Sequence, residues 1–327
     1  MEKIEAKQKD GVIREFLHSL GRETLLTSWE LIKITVPVLL ITKILEELGL
    51  ISSLSGLLEP VMKIIGLPGS LGLAWATAML TSIYGGMAVF AALASSLTLT
   101  GAQVTVLCAV MLIAHSLPLE LSISKKAGAA LLPIAVLRIG GAILYGFLLS
   151  RLCSALQIWQ EPATILFQTT AAEQGIWQWA LSQLTNLALI VLVIFCIVVA
   201  MRILRAIGLL TLLERLLSPV LPFFGMSKRA APVTVVGMIM GIGYGGALII
   251  RETCSGSMDR EEVFNAMALM GLSHALVEDT LLMMAIGGKF GGIFWGRILF
   301  SLGIVFLLVR TTRYLGERRT QAITRKD

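Results

Sequence analysis

Apolar stretches of unequal length alternate with short polar breaks along this chain, and their lengths predict where it crosses a bilayer. Residues 29–48 are the first stretch long enough to span, with Pro37 inside as a kink that a membrane helix tolerates. Residues 49–66 place apolar side chains at helical spacing with Ser, Glu and Lys between them, the pattern of a helix lying at the interface. Residues 70–97 are apolar but broken near the middle by Tyr84-Gly85-Gly86. They either cross once or turn back as a re-entrant hairpin with the glycines at its tip. Residues 104–117 are apolar, are stopped short of a crossing by Pro118, and run into Glu120, Ser122, Ser124, Lys125 and Lys126. Residues 129–149 then span, with Arg138 at their centre.

The same plan follows again. After a polar stretch at 153–177 come a span at 180–200, an interfacial helix near 209–225 and a glycine-broken segment at 231–251. A short helix at 262–274 leads to Glu278 and Asp279, and the last span, 291–309, carries Arg297. The correspondence is residue by residue. Gly49, Leu57, Leu58, Pro60, Val61 and Gly66 fall opposite Gly208, Leu216, Leu217, Pro219, Val220 and Gly225, each 159 positions on. One inserted residue later Tyr84-Gly85-Gly86 meets Tyr244-Gly245-Gly246; then His115 meets His274, Glu120 meets Asp279 and Arg138 meets Arg297. A repeat on this scale fixes the reading of the whole fold. The chain divides into an amphipathic arm (1–28), a first copy (29–152), an external linker (153–177), a second copy (178–309) and a basic tail (310–327).

Composition agrees with a membrane protein. Of 327 residues 56% are hydrophobic and only 15% charged, against about 25% charged in a soluble domain. The net charge of +6 comes from Lys and Arg between apolar runs, so the bilayer accounts for it and no nucleic-acid partner is expected. The four cysteines are scattered without a CxxC pair, and imply neither a disulfide framework nor a metal site. The charged N-terminus has no apolar core of the signal-peptide kind and reads as an amphipathic helix on the membrane surface.

The basic residues also predict orientation. With the N-terminus in the cytoplasm and the glycine-broken segments re-entrant, the inside holds the arm, Lys125, Lys126, the basic residues of 202–229, Arg251, Arg260 and the tail. The outside holds only Lys63, Arg151 and Lys289. Both termini are then cytoplasmic and the second copy is inverted relative to the first. This architecture is an all-α polytopic protein of two inverted-topology repeats in the inner (cytoplasmic) membrane, and it is the arrangement of secondary transporters.

Tyr84, Gly85 and Gly86 with Gly243, Tyr244, Gly245 and Gly246 are the first site candidates, because glycine exposes backbone groups that a polar ligand can use. Close helix packing through small residues is the competing reading. A mid-span arginine needs an acidic partner, so Arg138 and Arg297 point to Glu120, Glu278 and Asp279, as structural ion pairs, as proton carriers or as both. His115 and His274 read as packing residues or as a proton relay, and two histidines alone do not make a zinc site. Arg251-Glu252 has Ala91-Ala92 as its counterpart, which leaves either a polar contact in one half-site or a solvated pair at the rim. No Walker loop, HExxH, GxSxG or Rossmann glycine pattern is present, so no enzyme is expected, and no cofactor or metal.

The landmarks Leu57-Leu58-Glu59-Pro60, Gly66 and Tyr84-Gly85-Gly86, repeated over 216–225 and 241–246, resemble the nucleoside recognition or Gate domain family. That family includes spore maturation membrane proteins, the membrane part of ferrous iron transporter B proteins and concentrative nucleoside transporters. The resemblance implies an inner-membrane transport fold with re-entrant segments and no particular substrate. The chain departs from the iron transporters in having no cysteine in either glycine turn. It also lacks the Gln/Thr/Asn/Glu pattern by which a nucleoside transporter would hold base and ribose.

The expectation is a secondary transporter for a small polar or anionic solute, working by alternating access with H+ or Na+ as a coupling ion. It lies in the lipid bilayer as a single chain or a homo-oligomer. The competing class is a non-transporting scaffold or assembly factor of the spore maturation type.

Overall fold

The computed structural model describes residues 2–94, 96–164 and 176–324. Among them there is no strand, only an isolated bridge between Thr100 and Pro162. Helix α1 (Glu2–Glu47) leads into α2 (Leu50–Ile64), α3 (Leu71–Leu80), α4 (Ile83–Ala94), α5 (Gly101–Ile113), α6 (Leu117–Ala127) and α7 (Leu131–Leu156). The second series is α8 (Ile176–Ala206), α9 (Leu209–Leu217) with a 3-10 turn at Leu221–Phe224, α10 (Ala230–Met240), α11 (Ile242–Cys254), α12 (Arg260–Leu272) and α13 (Glu278–Ala285). A π turn at Gly291–Gly296 enters α14 (Arg297–Thr324). Four stretches among the described residues are long and apolar enough to cross a membrane: Gly101–Ala127, Leu131–Leu156, Ala180–Ala206 and Gly291–Thr312. The chain is a multi-pass α-helical membrane protein.

The backbone repeats as the sequence does. Positive φ angles recur at the 159 offset: 65° and 76° at Gly49 and Gly208, 74° at both Gly66 and Gly225, 101° and 102° at Gly128 and Gly287. Ser116 (47°) and Ala275 (44°) repeat the same left-handed conformation without being glycine. Each copy also starts its central helix with a capping box, Thr100 with Gln103 on α5 and Asp259 with Glu262 on α12. There a side chain at either end satisfies a backbone N–H that the helix leaves free.

Helix α5 is buried over nearly its whole length, and α12 is buried over most of its length beyond its charged first turn Arg260–Glu262, so the two form the middle of the molecule. Helix α7 packs on α5, and α14 packs on α12. The copies also interlock, because α12 packs on α7, α6 on α11, and the π turn on α5. Helices α1 and α8 pack on each other outside this centre, joined by an ion pair between Arg202 and Glu23 at 2.5 Å.

Several boundaries differ from the sequence reading, each for a local reason. The break in 70–97 falls at Thr81-Ser82 and leaves Tyr84-Gly85-Gly86 inside the first turns of α4; in the second copy it falls at Gly241. Pro118 does not end a segment: it occupies the first turn of α6, where its missing N–H has no helical partner to lose. The interruption lies earlier, at 114–116, and residues 101–127 make one span with a break inside. The arm and residues 29–47 are one continuous helix, in which only Val36–Leu45 is strongly apolar because charged residues flank it. The tail continues α14 as far as Thr324. Part of the linker 153–177, residues 165–175, lies outside the described residues, as does the end of the tail.

Candidate functional site

Both central helices end in the middle of the molecule, and each end carries the same constellation. Helix α5 ends at Ile113, and Ser116 turns the chain left-handed before α6 begins. A helix that stops in an apolar interior leaves its last carbonyls without donors and a negative dipole end without compensation. Arg138, fully buried on α7, answers both needs. Its Nε donates to the Ile113 carbonyl at 2.9 Å and its Nη2 to the His115 carbonyl at 3.0 Å. Its Nη1 lies 2.5 Å from Glu120 Oε2, in the first turn of α6. The mid-span arginine is thus the cap of a broken helix and the counter-ion of a carboxylate at the next helix start.

The second copy builds the same frame but leaves it open. Arg297, equally buried, donates Nη2 to the His274 carbonyl at 3.3 Å. Among the described residues its Nε and Nη1 find no hydrogen-bond partner. A buried guanidinium with two unused donor groups is expensive, since each would otherwise hold water or an acceptor.

Between the two frames stand the histidines. His115 Nδ1 lies 2.9 Å from the Met111 carbonyl, and His274 Nδ1 lies 2.9 Å from the Met270 carbonyl. A carbonyl only accepts, so both Nδ1 atoms carry a proton, and in the neutral form of each ring Nε2 is then a lone pair. The two Nε2 atoms are 3.3 Å apart. Glu120 Oε1 sits 3.4 Å from His115 Nε2 and 3.3 Å from His274 Nε2, and Asp279 Oδ2 lies 3.9 Å from His115 Nε2.

The structure therefore gathers His115, His274, Glu120 and Asp279 into one buried cluster, with Arg138 and Arg297 behind it. The sequence suggested the acid–arginine pairing. It gave no sign that the histidines of the two copies touch, because that contact joins residues from different copies. Glu278 turns elsewhere and lines a cavity of about 100 Å³ with Glu23, Tyr84, Ile194 and Arg205.

Four of the turn glycines, Gly85, Gly86, Gly245 and Gly246, are closely packed. A Cβ on Gly86 would stand 2.7 Å from Met111 Cε and 2.8 Å from the Ala74 carbonyl, and one on Gly245 would collide with the Gly237 backbone and Met270 Sδ. Met111 and Met270 carry the carbonyls that fix the histidine tautomers, so Gly86 and Gly245 support the cluster from behind. Gly85 and Gly246 are buried too, against Thr81 and Ile123, whereas Gly243 and Tyr244 are exposed. Arg251 is exposed at the end of α11, the solvated of its two readings.

Fold and site together define a polytopic helical membrane protein with a charged centre shared by two structural copies. Residues 28–142 match the family model described as Gate, nucleoside recognition, the similarity that the landmarks of the first copy implied. The chain is also 27% identical, over 266 residues, to the uncharacterized membrane protein YvoD of Bacillus subtilis (strain 168). That similarity covers 80% of this chain and 83% of the relative. No solved structure gives a significant match.

Proposed function

We propose that this Gate-domain protein is a secondary transporter that moves a small polar or anionic solute by alternating access between its two copies. The copies are inverted in the inner membrane, with both termini in the cytoplasm. The observation that carries this reading is the pair of inequivalent arrangements of one motif. In the first copy Arg138 is closed onto Glu120; in the second Arg297 keeps two donor groups unused beside Asp279. A mechanism that swaps access needs a unit able to adopt both arrangements, so that each half closes as the other opens. The packing is uneven in the same sense. Helix α6 of the first copy lies against α11, with Ile123 at Gly246, while beside α13 of the second copy Glu278 and Tyr84 border a cavity.

The free donors of Arg297 suit an anionic group, and the carboxylates and histidines supply sites for a coupling proton. The test is a thermal-shift screen of the purified protein against nucleosides and organic anions, followed by counterflow of each hit in liposomes. Stabilisation and counterflow that are both lost in Arg297→Met support transport. A screen without a hit, in a protein that co-purifies with a stable partner, would replace transport by a scaffold role.

A further inference from the structure

We infer that the contact between the two copies is a binding site for one divalent transition-metal ion of the zinc type, ligated by His115, His274, Glu120 and Asp279. The inference goes beyond transport and holds whether or not the protein carries a solute.

It starts from the tautomers. Each imidazole spends its Nδ1 proton on a backbone carbonyl, of Met111 or Met270, so both Nε2 lone pairs face inward. Glu120 Oε1 joins them as a third electron-pair donor. Three such atoms in van der Waals contact repel one another unless a positive charge lies among them. A proton or a metal ion could supply it, and the distances separate the two. A shared proton draws one donor and one acceptor to about 2.7–3.2 Å and leaves the third atom out. Here the three separations are nearly equal, at 3.3, 3.3 and 3.4 Å. A tetrahedral zinc ion with ligand bonds of about 2.0–2.1 Å has ligand-to-ligand edges of about 3.3–3.4 Å. The three atoms already form one face of that tetrahedron.

Asp279 offers the fourth vertex. Its carboxylate oxygen lies 3.9 Å from His115 Nε2, and the three ligand atoms of His115, His274 and Asp279 all fall within 4.8 Å of one another. A shift of about half an ångström brings it to the tetrahedral edge with His115, and a larger one toward His274, within 4.8 Å, completes the vertex.

The surroundings match as well. Metal-bound histidines almost always donate the other ring N–H to a carbonyl or carboxylate, and both do so here. The second oxygen of Glu120 is held by Arg138, which orients the ligand. Two imidazoles with two carboxylates favour zinc and its neighbours over magnesium or calcium, which take all-oxygen shells. The cysteines contribute nothing, since Cys108 and Cys153 are buried elsewhere and Cys196 and Cys254 are exposed.

The experiment uses full-length protein purified in detergent, stripped with a chelator and dialysed against zinc. The expected result is about one zinc per chain by elemental analysis. Zinc-edge X-ray absorption should show two imidazole nitrogens and two oxygens, and Co2+ should give the intense visible bands of a tetrahedral site. His115→Ala and His274→Ala should each weaken zinc binding at least about a hundredfold, while Cys254→Ala, at an exposed cysteine away from the cluster, should retain it. Zinc content near zero would overturn the site and leave a shared proton between the rings. Zinc bound without imidazole in the absorption spectrum would overturn it too, even if the histidine variants failed to fold. Metal occupancy is an equilibrium reading, so failure here is separate from failure of counterflow.

Discussion

His115 Nε2 meets His274 Nε2 at 3.3 Å, and the two residues are 159 positions apart, the offset that superposes one copy on the other. The contact is a point at which the two repeats meet through equivalent residues. The side chains around that point nevertheless differ: one arginine is closed onto its carboxylate and the other is not.

The first prediction concerns those arginines. Arg138→Met leaves the Glu120 carboxylate buried without its counter-ion and frees two helix-end carbonyls, a loss of roughly 3–5 kcal/mol. Glu120→Gln should lower the melting temperature as well, and the double variant should lose less than the two single losses added together. Arg297→Met should fall well short of Arg138→Met, because among the described residues Arg297 makes one long hydrogen bond and leaves Nε and Nη1 without a partner. Equal losses at the two arginines would mean that the asymmetry between the copies is not a property of the protein in its membrane.

Glycine substitutions separate packing from ligand contact. Gly245→Ala places a methyl group against Gly237 and Met270 and should destabilise by about 1–3 kcal/mol. Gly243→Ala, two residues away, meets nothing within 4 Å. It should be neutral or stabilise by up to about 1 kcal/mol through the better helix propensity of alanine. Thermal unfolding in detergent gives both values. The reverse order would return the glycine turn to its reading as an open site.

The left-handed residues give a third test. Ala275 has φ 44°, where a Cβ strains the backbone by about 1–2 kcal/mol. Ala275→Gly removes that strain and should raise the melting temperature slightly, a gain of roughly 0.5–1 kcal/mol after the entropy of glycine is counted. A clear drop would show that the buried methyl group matters more than the φ angle.

Much of this was legible in the residues. The repeat is written in Gly, Pro and His at fixed offsets. A mid-span arginine announces an acidic partner because its lone burial is so unfavourable, and the structure pairs Arg138 with Glu120. The breaks were harder to place. Tyr84-Gly85-Gly86 looks like a turn because glycine usually marks one, yet here glycine allows two helices to approach. The true interruption uses Ser116 and Ala275, residues that do not favour the left-handed conformation they adopt, and the arginine that caps the broken end belongs to another helix. The histidine contact was invisible for a related reason. Each copy supplies one ring, and no local spacing records a contact made across 159 residues.

The shared centre itself is tested most directly by cross-linking across it. Cys108, Cys153, Cys196 and Cys254 are replaced by alanine, His115 and His274 by cysteine, and a protease site is inserted between residues 165 and 175. A short bifunctional thiol reagent is applied in native membranes, and the chain is then cut. The two halves should stay joined on a denaturing gel in the double-cysteine protein and separate in either single-cysteine control. Halves that separate in all three would place the histidines apart and contradict the shared centre.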